Sequence, residues 1–435
     1  MKSYLFKHID NSGLVVFRIF FGLLCFFESV GAVFTGWVKR TLVEPEFTFS
    51  FIGFEWLQPL PGGWMYVFYI VMGIMGLFIM VGYKYRMSML AFALMWSATY
   101  LMQKSSYNNH YYLLMLLSFI MVFLPANRYA SLDVKQSPSL RSISMPNWCK
   151  AIFVLQLFIV YTYASIAKLY PDWLDGTTVA LLMKSKADYA IGDLLQKPSL
   201  HYIIAYGGIL FDGLIIPALL WKRTRNIAFF ISIFFHLFNS IVFQIGIFPY
   251  LSLAFTLFFF EPKTIRDLFL KKKQLYEKSE VKIPNNYKLI TSAFIIYLSV
   301  QLVLPIRHHF IKDDVLWTEE GHRLSWRMML RAKSGRTSYS VVDKNTNEVI
   351  KVDMNDYLTK KQKRSASNKP DVIWQFAQRL KKDFAKQGKD VSVYVSAYIS
   401  VNGKPSKQLI DPEVDLAAIE WNTFSHSPWL LPSKE

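Results

Sequence analysis

The segment Tyr161–Gly176, YTYASIAKLYPDWLDG, marks the point where a long apolar run meets polar residues. The residues from Ile152 to Ile166 are mostly apolar, which is the composition of a helix that crosses a bilayer. Lys168 follows within two residues, and Tyr170 and Trp173 come next. Because Tyr and Trp collect at the boundary between water and lipid, the sequence predicts that Lys168 lies at the edge of the membrane.

Two explanations for Lys168 are open at this point. The side chain either snorkels, with its stem in lipid and its ammonium group in water, or it lies in an apolar pocket. In an apolar pocket the loss of hydration favours the uncharged amine, which can act as a base. The first explanation makes Lys168 a membrane anchor, and the second makes it a catalytic group.

The composition indicates a membrane domain joined to a polar domain. Of the 435 residues, 53% are hydrophobic and 17% are aromatic, which is too apolar for a soluble chain, yet 18% are charged. The net charge of +18 does not predict a nucleic-acid partner, because more than half of the basic residues lie in loops beside apolar runs. Cys25 and Cys149 form neither a disulfide framework nor a CxxC metal site.

Apolar runs predict a polytopic α-helical membrane protein with about nine transmembrane helices. The connecting segments are richer in Lys and Arg on one side, which places the N-terminus in the cytoplasm and the C-terminus outside. This orientation depends on an odd number of crossings. The runs cover residues 13–34, 62–82, 87–103, 110–125, 151–169, 201–221, 226–243, 246–260 and 289–305.

A change in composition near Arg307 divides the chain into two predicted domains. Residues 1–306 form a transmembrane catalytic domain, and residues 307–435 form a small extracytoplasmic α+β domain. The patterns in the second domain predict a hairpin around Lys344–Asn347, an exposed loop over Lys360–Lys369, a helix over Asp371–Lys386, and a strand, VSVYVSAYISV, that ends at a turn formed by Asn402 and Gly403.

Polar groups on three predicted helices suggest a polar-lined site that opens outward. His110 begins the fourth run, Lys168 ends the fifth, and His236 lies in the seventh with Asn239 one turn further along. Each alone is more often structural, but ionisable groups in a membrane are costly and usually face a cavity or a partner. No HExxH or comparable ligand spacing occurs, so no metal is predicted. The remaining ionisable candidates in the membrane are Arg18, Glu28 and Asp212. We interpret Arg18 and Glu28 as structural residues that pack against other helices.

Four stretches resemble the vitamin K-dependent γ-glutamyl carboxylase family, whose membrane part is also called the horizontally transferred transmembrane domain. The most specific is FHLFNSIVFQIGIFPY, because a His-Asn-Ser run is rare inside an apolar helix. The stretches occur in the family's order: YNNHYYLL (Tyr107–Leu114), YASIAKLYPDWLDG (Tyr163–Gly176), FHLFNSIVFQIGIFPY (Phe235–Tyr250) and EEGHRLSWRMML (Glu319–Leu330).

The resemblance implies an enzyme in which Lys168, as a neutral amine, deprotonates a vitamin K hydroquinone. Oxygenation of the quinol to its epoxide would drive carboxylation of a glutamate side chain, with O2 and CO2 as co-substrates and no metal. His110, with Asn109, would assist at the reacting centre. The residues implied around the quinone are Asn109, His236, Asn239, Trp326, Met328 and Met329.

The resemblance also has implications for source and partners. The compact chain favours a bacterial inner membrane with menaquinol as the quinol. The family resemblance implies a protein or peptide that contains glutamate as the partner. Ala167 stands where the animal enzymes look to have a second lysine, and the chain is shorter than those enzymes. Two alternatives are therefore kept: quinol epoxidation without carboxylation of a protein, and a non-catalytic membrane transporter or scaffold.

Overall fold

A computed structural model describes residues 2–434. Helices dominate as far as Phe310, and a four-stranded sheet with three helices follows. The helices are α1 (Lys2–Phe6), α2 (Ser12–Phe34), α3 (Trp64–Val81), α4 (Tyr85–Met102), α5 (Asn109–Phe123), α6 (Leu132–Gln136), α7 (Trp148–Ala167), α8 (Pro171–Leu174), α9 (Thr177–Lys184), α10 (Gly192–Leu195), α11 (Pro198–Leu220), α12 (Arg225–Val242), α13 (Phe248–Phe255), α14 (Pro262–Phe269), α15 (Tyr287–Ile306), α16 (Val315–Thr318), α17 (Lys360–Ala366) and α18 (Pro370–Ala385). The strands are β1 (His8–Asp10), β2 (Ser144–Pro146), β3 (Lys333–Asp343), β4 (Val349–Val352), β5 (Val391–Val401) and β6 (Lys407–Gln408).

The predicted fold class is confirmed, because apolar helices precede a small α+β domain. The count of nine transmembrane helices is not confirmed. Each predicted run falls on a helix, but six helices in the described chain are both long and apolar enough to cross a membrane: α2, α3, α7, α11, α12 and α15 with its extension to Phe310. Helix α5 has 15 residues, which at 1.5 Å per residue gives about 22 Å, less than the roughly 30 Å core of a bilayer.

Glycines allow the closest helix packing, between α2 and α3. A Cβ atom added to Gly76 would lie 2.7 Å from the Phe26 backbone nitrogen and 3.0 Å from the Gly22 carbonyl oxygen. Small residues let membrane helices approach each other at the backbone in this way.

The two charged residues of α2, which we interpreted as structural, make contacts that agree with that interpretation. Arg18 donates to the backbone carbonyls of Ala126 and Ala130, and Glu28 accepts from Tyr111 at 2.7 Å.

The C-terminal domain is an antiparallel sheet in the order β4-β3-β5-β6, with α18 packed against it. The predicted hairpin, strand and long helix are confirmed as β3 with β4, β5 and α18. The exposed loop predicted over residues 360–369 is wrong, since that segment begins with α17. A capping box at Thr359 and Gln362 starts this helix, and Gln362 and Ala366 are buried, so local capping and burial outweigh the charged composition.

Buried ion pairs join the C-terminal domain to the helical part. Lys104, just after α4, lies 2.6 Å from Asp371 in α18, and Arg323 donates to the same carboxylate at 2.6 Å. Burial lowers the pKa of Lys104 to about 8 even though Asp371 opposes the shift. Burial alone would raise the pKa of Asp371, but Arg323 and Lys104 outweigh it and hold that pKa below its usual range. The end of the helical part that contacts this domain is called the C-terminal-domain side below.

Candidate functional site

Lys168 lies on the C-terminal-domain side of the helical part, one residue beyond the end of α7. Its ammonium group donates to the Asp212 carboxylate of α11 and lies 3.4 Å from the Ala164 carbonyl oxygen. The residue is 8% exposed and Asp212 is 6% exposed. The ammonium is therefore turned into the bundle rather than extended into water, and the ring of Trp173, 5.7 Å away, covers it.

The local sequence explains why α7 ends at this position. Pro171 begins the short helix α8, and Tyr170 before it has an extended backbone, as residues before proline prefer. Lys168 itself caps α7 with a helical backbone, so its side chain continues the face on which Tyr161 lies two turns earlier. That face is directed at α11 and α12, where Asp212 and His236 lie.

Two imidazole rings meet around Phe248 at the start of α13. The ring of His110 stacks on Phe248 with centroids 4.4 Å apart, and His236 packs against the same ring at 5.9 Å. The Nε2 atom of His236 lies 3.1 Å from the Tyr161 hydroxyl, and its Nδ1 atom is buried without a partner among the described residues. The structure therefore brings His110 and His236 together. Tyr161 links His236 to α7, the helix that ends one residue before Lys168.

The two predicted asparagines have different environments. Asn109 is buried, accepts from the Tyr107 hydroxyl at 2.8 Å and donates to the Arg327 carbonyl at 3.0 Å. It therefore fastens the segment containing Trp326 to the start of α5. Asn239 is half-buried on α12, one turn beyond His236, and its backbone carbonyl accepts from Phe243 at 3.2 Å.

The segment after α16 has an unusual backbone. Leu324, Trp326 and Met329 all have positive φ angles, near 60°, which non-glycine residues rarely adopt. Trp326 is 1% exposed and stacks on Tyr112 of α5 with centroids 4.9 Å apart. The structure thus packs Trp326 into the helical core, whereas Met328 and Met329 line a cavity beside Asn109 and His110.

That cavity has a volume of about 190 Å³, and its lining includes four Arg or Lys side chains. The Nε2 atom of His322 accepts from Arg331 at 2.6 Å, which requires a neutral imidazole. Burial alone would raise the pKa of Glu319, but Arg331 and Lys333 hold that pKa well below its usual range. The charged and imidazole groups of the lining are His110, Glu319, His322, Arg323, Arg327, Arg331 and Lys369. Their excess of positive charge suits an anionic ligand.

The sequence reasoning did not identify these arginines as site residues. Their spacing in EEGHRLSWRMMLR was a usable signal, because Arg323, Arg327 and Arg331 recur at every fourth residue. It also assigned no role to Asp212, although it recognised this residue as an ionisable group in the membrane. The partner of Asp212 could not be read from the chain, since Lys168 lies 44 residues away.

Arg327 also separates the cavity from a larger cleft of about 710 Å³ between the ends of α7 and α15. Ala167 and Tyr170, on either side of Lys168, line this cleft. The Nδ1 atom of His308 lies 2.8 Å from the Pro305 carbonyl, and its Nε2 atom lies 3.2 Å from Arg327. Nδ1 therefore carries the proton, and Nε2 accepts from the guanidinium.

Two family models together match nearly the whole chain. The model of the HTTM domain matches residues 6–263, more than half of the chain. The model of the vitamin K-dependent gamma-carboxylase, lumenal domain, matches residues 286–435. The chain belongs to the vitamin K-dependent gamma-carboxylase family. No solved structure matches it. The second model begins in the loop before α15, whereas the domain boundary at residue 307 stays a prediction.

The family implies a reduced naphthoquinone, and the side chains around Phe248 fit such a group in their chemistry. A quinol is flat and aromatic and carries two hydroxyl donors, so it needs aromatic walls and hydrogen-bond acceptors. Phe211 and Phe248 provide aromatic surface beside His236, whose buried Nδ1 atom has no partner among residues 2–434. Within those residues no group of three His, Cys, Asp or Glu side chains could hold a metal ion.

Proposed function

We propose that this chain is a vitamin K-dependent γ-carboxylase-like enzyme. It would couple oxygenation of a naphthohydroquinone, to its epoxide, with carboxylation of glutamate side chains. The observation that carries the proposal is the buried pair of Lys168 and Asp212. A membrane anchor would reach water, whereas burying two charged groups is costly and needs another reason.

The roles of the side chains follow from their contacts. Lys168 would take the proton of a quinol hydroxyl inside the bundle, where the surrounding helices exclude water. His110 and His236 would face the same reactants from α5 and α12, with Asn109 holding the segment of Met328 and Met329 in place. A vitamin K hydroquinone or menaquinol, oxidised by O2, would supply the strong base that no side chain provides.

The basic cavity supports glutamate as the second substrate. Arg327 and Lys369 form no ion pair in the described part of the chain and would offer charge-assisted hydrogen bonds to a carboxylate, whereas Arg323 and Arg331 are paired with Asp371 and Glu319. His110 lies in the same lining. A glutamate-containing peptide or protein would enter from the C-terminal-domain side, and CO2 would be the species added. The Lys and Arg bias of the connecting segments supports a cytoplasmic N-terminus. An odd number of crossings would then place the C-terminal domain outside the membrane, which we propose is a bacterial inner membrane.

The test measures both products in one reaction. Purified protein in detergent receives vitamin K hydroquinone, O2, labelled bicarbonate and a glutamate-containing peptide. Epoxide and labelled peptide are quantified for the wild type, for Lys168→Ala, and for Lys150→Ala at the other end of α7 as the matched control. We expect both products, with both reduced at least about 100-fold in Lys168→Ala and unchanged in Lys150→Ala.

Other outcomes would change the assignment. Epoxide without labelled peptide, across peptides of varied sequence, would support quinol epoxidation without protein carboxylation. Neither product from folded protein would support a transporter or scaffold. Full activity in Lys168→Ala would refute the assignment of Lys168 as the base but would not affect the family assignment.

A further inference from the structure

Asp212 faces Lys168 from the interior of α11 and is engaged by no other side chain in the described part of the chain. Its carboxylate accepts from Lys168, and the second contact of the ammonium is a backbone carbonyl, that of Ala164. The other polar or charged groups nearby come from separate elements. Tyr161 lies on α7, His236 on α12, and Asp172 of α8 is already paired with Lys404 at 2.9 Å.

A pair of this kind can hold its proton on either partner. Ammonium with carboxylate and amine with carboxylic acid have the same net charge of zero, so moving the proton between them adds no charge to the apolar surroundings. An added proton from a substrate would then be shared by the two groups rather than carried by the lysine alone. The carboxylate is therefore placed to do more than neutralise an anchor.

We infer that Asp212 is the positioning residue of Lys168 and the final acceptor of the proton that Lys168 removes. This inference rests on the proposed function. Lys168 takes the proton of a substrate hydroxyl as it gives one of its own N–H protons to the Asp212 carboxylate. One O–H bond and one N–H bond break while one N–H bond and one O–H bond form. The products are the substrate anion, the ammonium and the carboxylic acid, with the total charge unchanged.

The competing explanation is that Asp212 only balances the charge of Lys168. The variant Asp212→Asn separates the two explanations, because it keeps the size and one hydrogen-bond acceptor but cannot take a proton. If Asp212 only balances charge, Lys168 remains the base in this variant, and epoxide formation persists. If Asp212 accepts the proton, turnover falls at every pH.

The kinetic experiment measures kcat for epoxide formation against pH. We expect Asp212→Asn to lose about 100-fold or more in kcat across the profile, with little change in KM, and Asp212→Glu to recover part of the loss. Asp193→Asn, an exposed carboxylate of α10, is the matched control and keeps the wild-type profile. An Asp212→Asn enzyme that keeps its turnover at any pH of the profile overturns the inference.

A second readout needs no turnover. Purified protein is treated briefly with acetic anhydride over a range of pH, and acetylation of Lys168 and Lys150 is quantified by mass spectrometry. We expect Lys168 of the wild type to react slowly because its nitrogen donates to Asp212, and Asp212→Asn to increase that rate at least about tenfold while Lys150 is unchanged. Equal Lys168 rates in both proteins overturn the inference. A further outcome is a wild type that turns over no quinol while Lys168 is still acetylated faster in Asp212→Asn. That result would refute the proposed function and the proton transfer, and only the positioning role of Asp212 would remain.

Discussion

The ion cluster of Lys104, Asp371 and Arg323 gives the sharpest prediction about stability. Asp371 is 3% exposed and accepts from Arg323 at 2.6 and 3.2 Å, with Lys104 at 2.6 Å. Asp371→Asn leaves both cations buried without their ion-pair partner. Breaking a buried pair costs about 3–5 kcal/mol, which corresponds to roughly 10–20 °C in Tm for a domain of this size.

The assay is thermal unfolding in detergent, followed by intrinsic fluorescence, with limited proteolysis of the segment between α15 and β3. We expect Asp371→Asn to lower the Tm of the C-terminal domain and to expose that segment to protease. Asp383→Asn is the matched control on α18, because its pairs with Arg379 and Lys386 lie nearer the surface and are worth about 0–1 kcal/mol. Equal Tm values for the two variants would refute the role of the cluster.

Two further predictions concern acid and helix packing. The pKa of Asp371 is held below its ordinary value of 3.8, so the stability it contributes is present above that pH and is lost as pH falls through the lower, folded-state pKa. Thermal unfolding from pH 7 downward should therefore show a Tm difference between the wild type and Asp371→Asn that shrinks below pH 3.8; a constant difference would contradict the linkage. Gly76→Ala should force α2 and α3 apart and lower Tm by several degrees, since its Cβ would lie 2.7 Å from the Phe26 nitrogen. Gly31→Ala, with nothing within 4 Å, is the control and should have almost no effect.

The sequence predicted the parts of the fold that depend on local pattern. The hairpin of β3 and β4, the strand β5 and the helix α18 each have a clear period or turn signal, and each is present. The nine-helix count failed to be confirmed because apolar composition does not fix whether a helix is long enough to cross. Helix α17 was missed because its charged residues resemble a loop, whereas its capping box and buried face become evident only in the folded domain.

The candidate site was predictable to the extent that its residues are unusual for their position. Lys168, His110 and His236 stand out because polar groups are rare in apolar helices, and the structure places the two histidines on one phenylalanine ring. Pairings between distant residues could not be predicted in this way. Two such contacts depend on how the helices pack: that of Asp212 with Lys168 and that of Trp326 with Tyr112.

Asn402, in the C-terminal domain, contacts both the segment after Lys168 and the segment of Met328 and Met329 that lines the basic cavity. Its side-chain amide donates to Asp172 at 3.0 Å, one turn after Lys168, and lies 3.4 Å from the Leu330 carbonyl beside Met329. A carboxylase needs its base and its peptide substrate held close together. This contact should therefore affect how much peptide is carboxylated per quinol oxidised more than it affects the rate of quinol oxidation. We expect Asn402→Gly, which tolerates the positive φ of 52°, to lower the ratio of labelled peptide to epoxide at least about threefold. Lys407→Ala, at an exposed residue of β6 that does not contact Asp172, is the control. An unchanged ratio in a folded Asn402→Gly protein would show that other contacts hold the segment after Lys168 against the segment of Met328 and Met329.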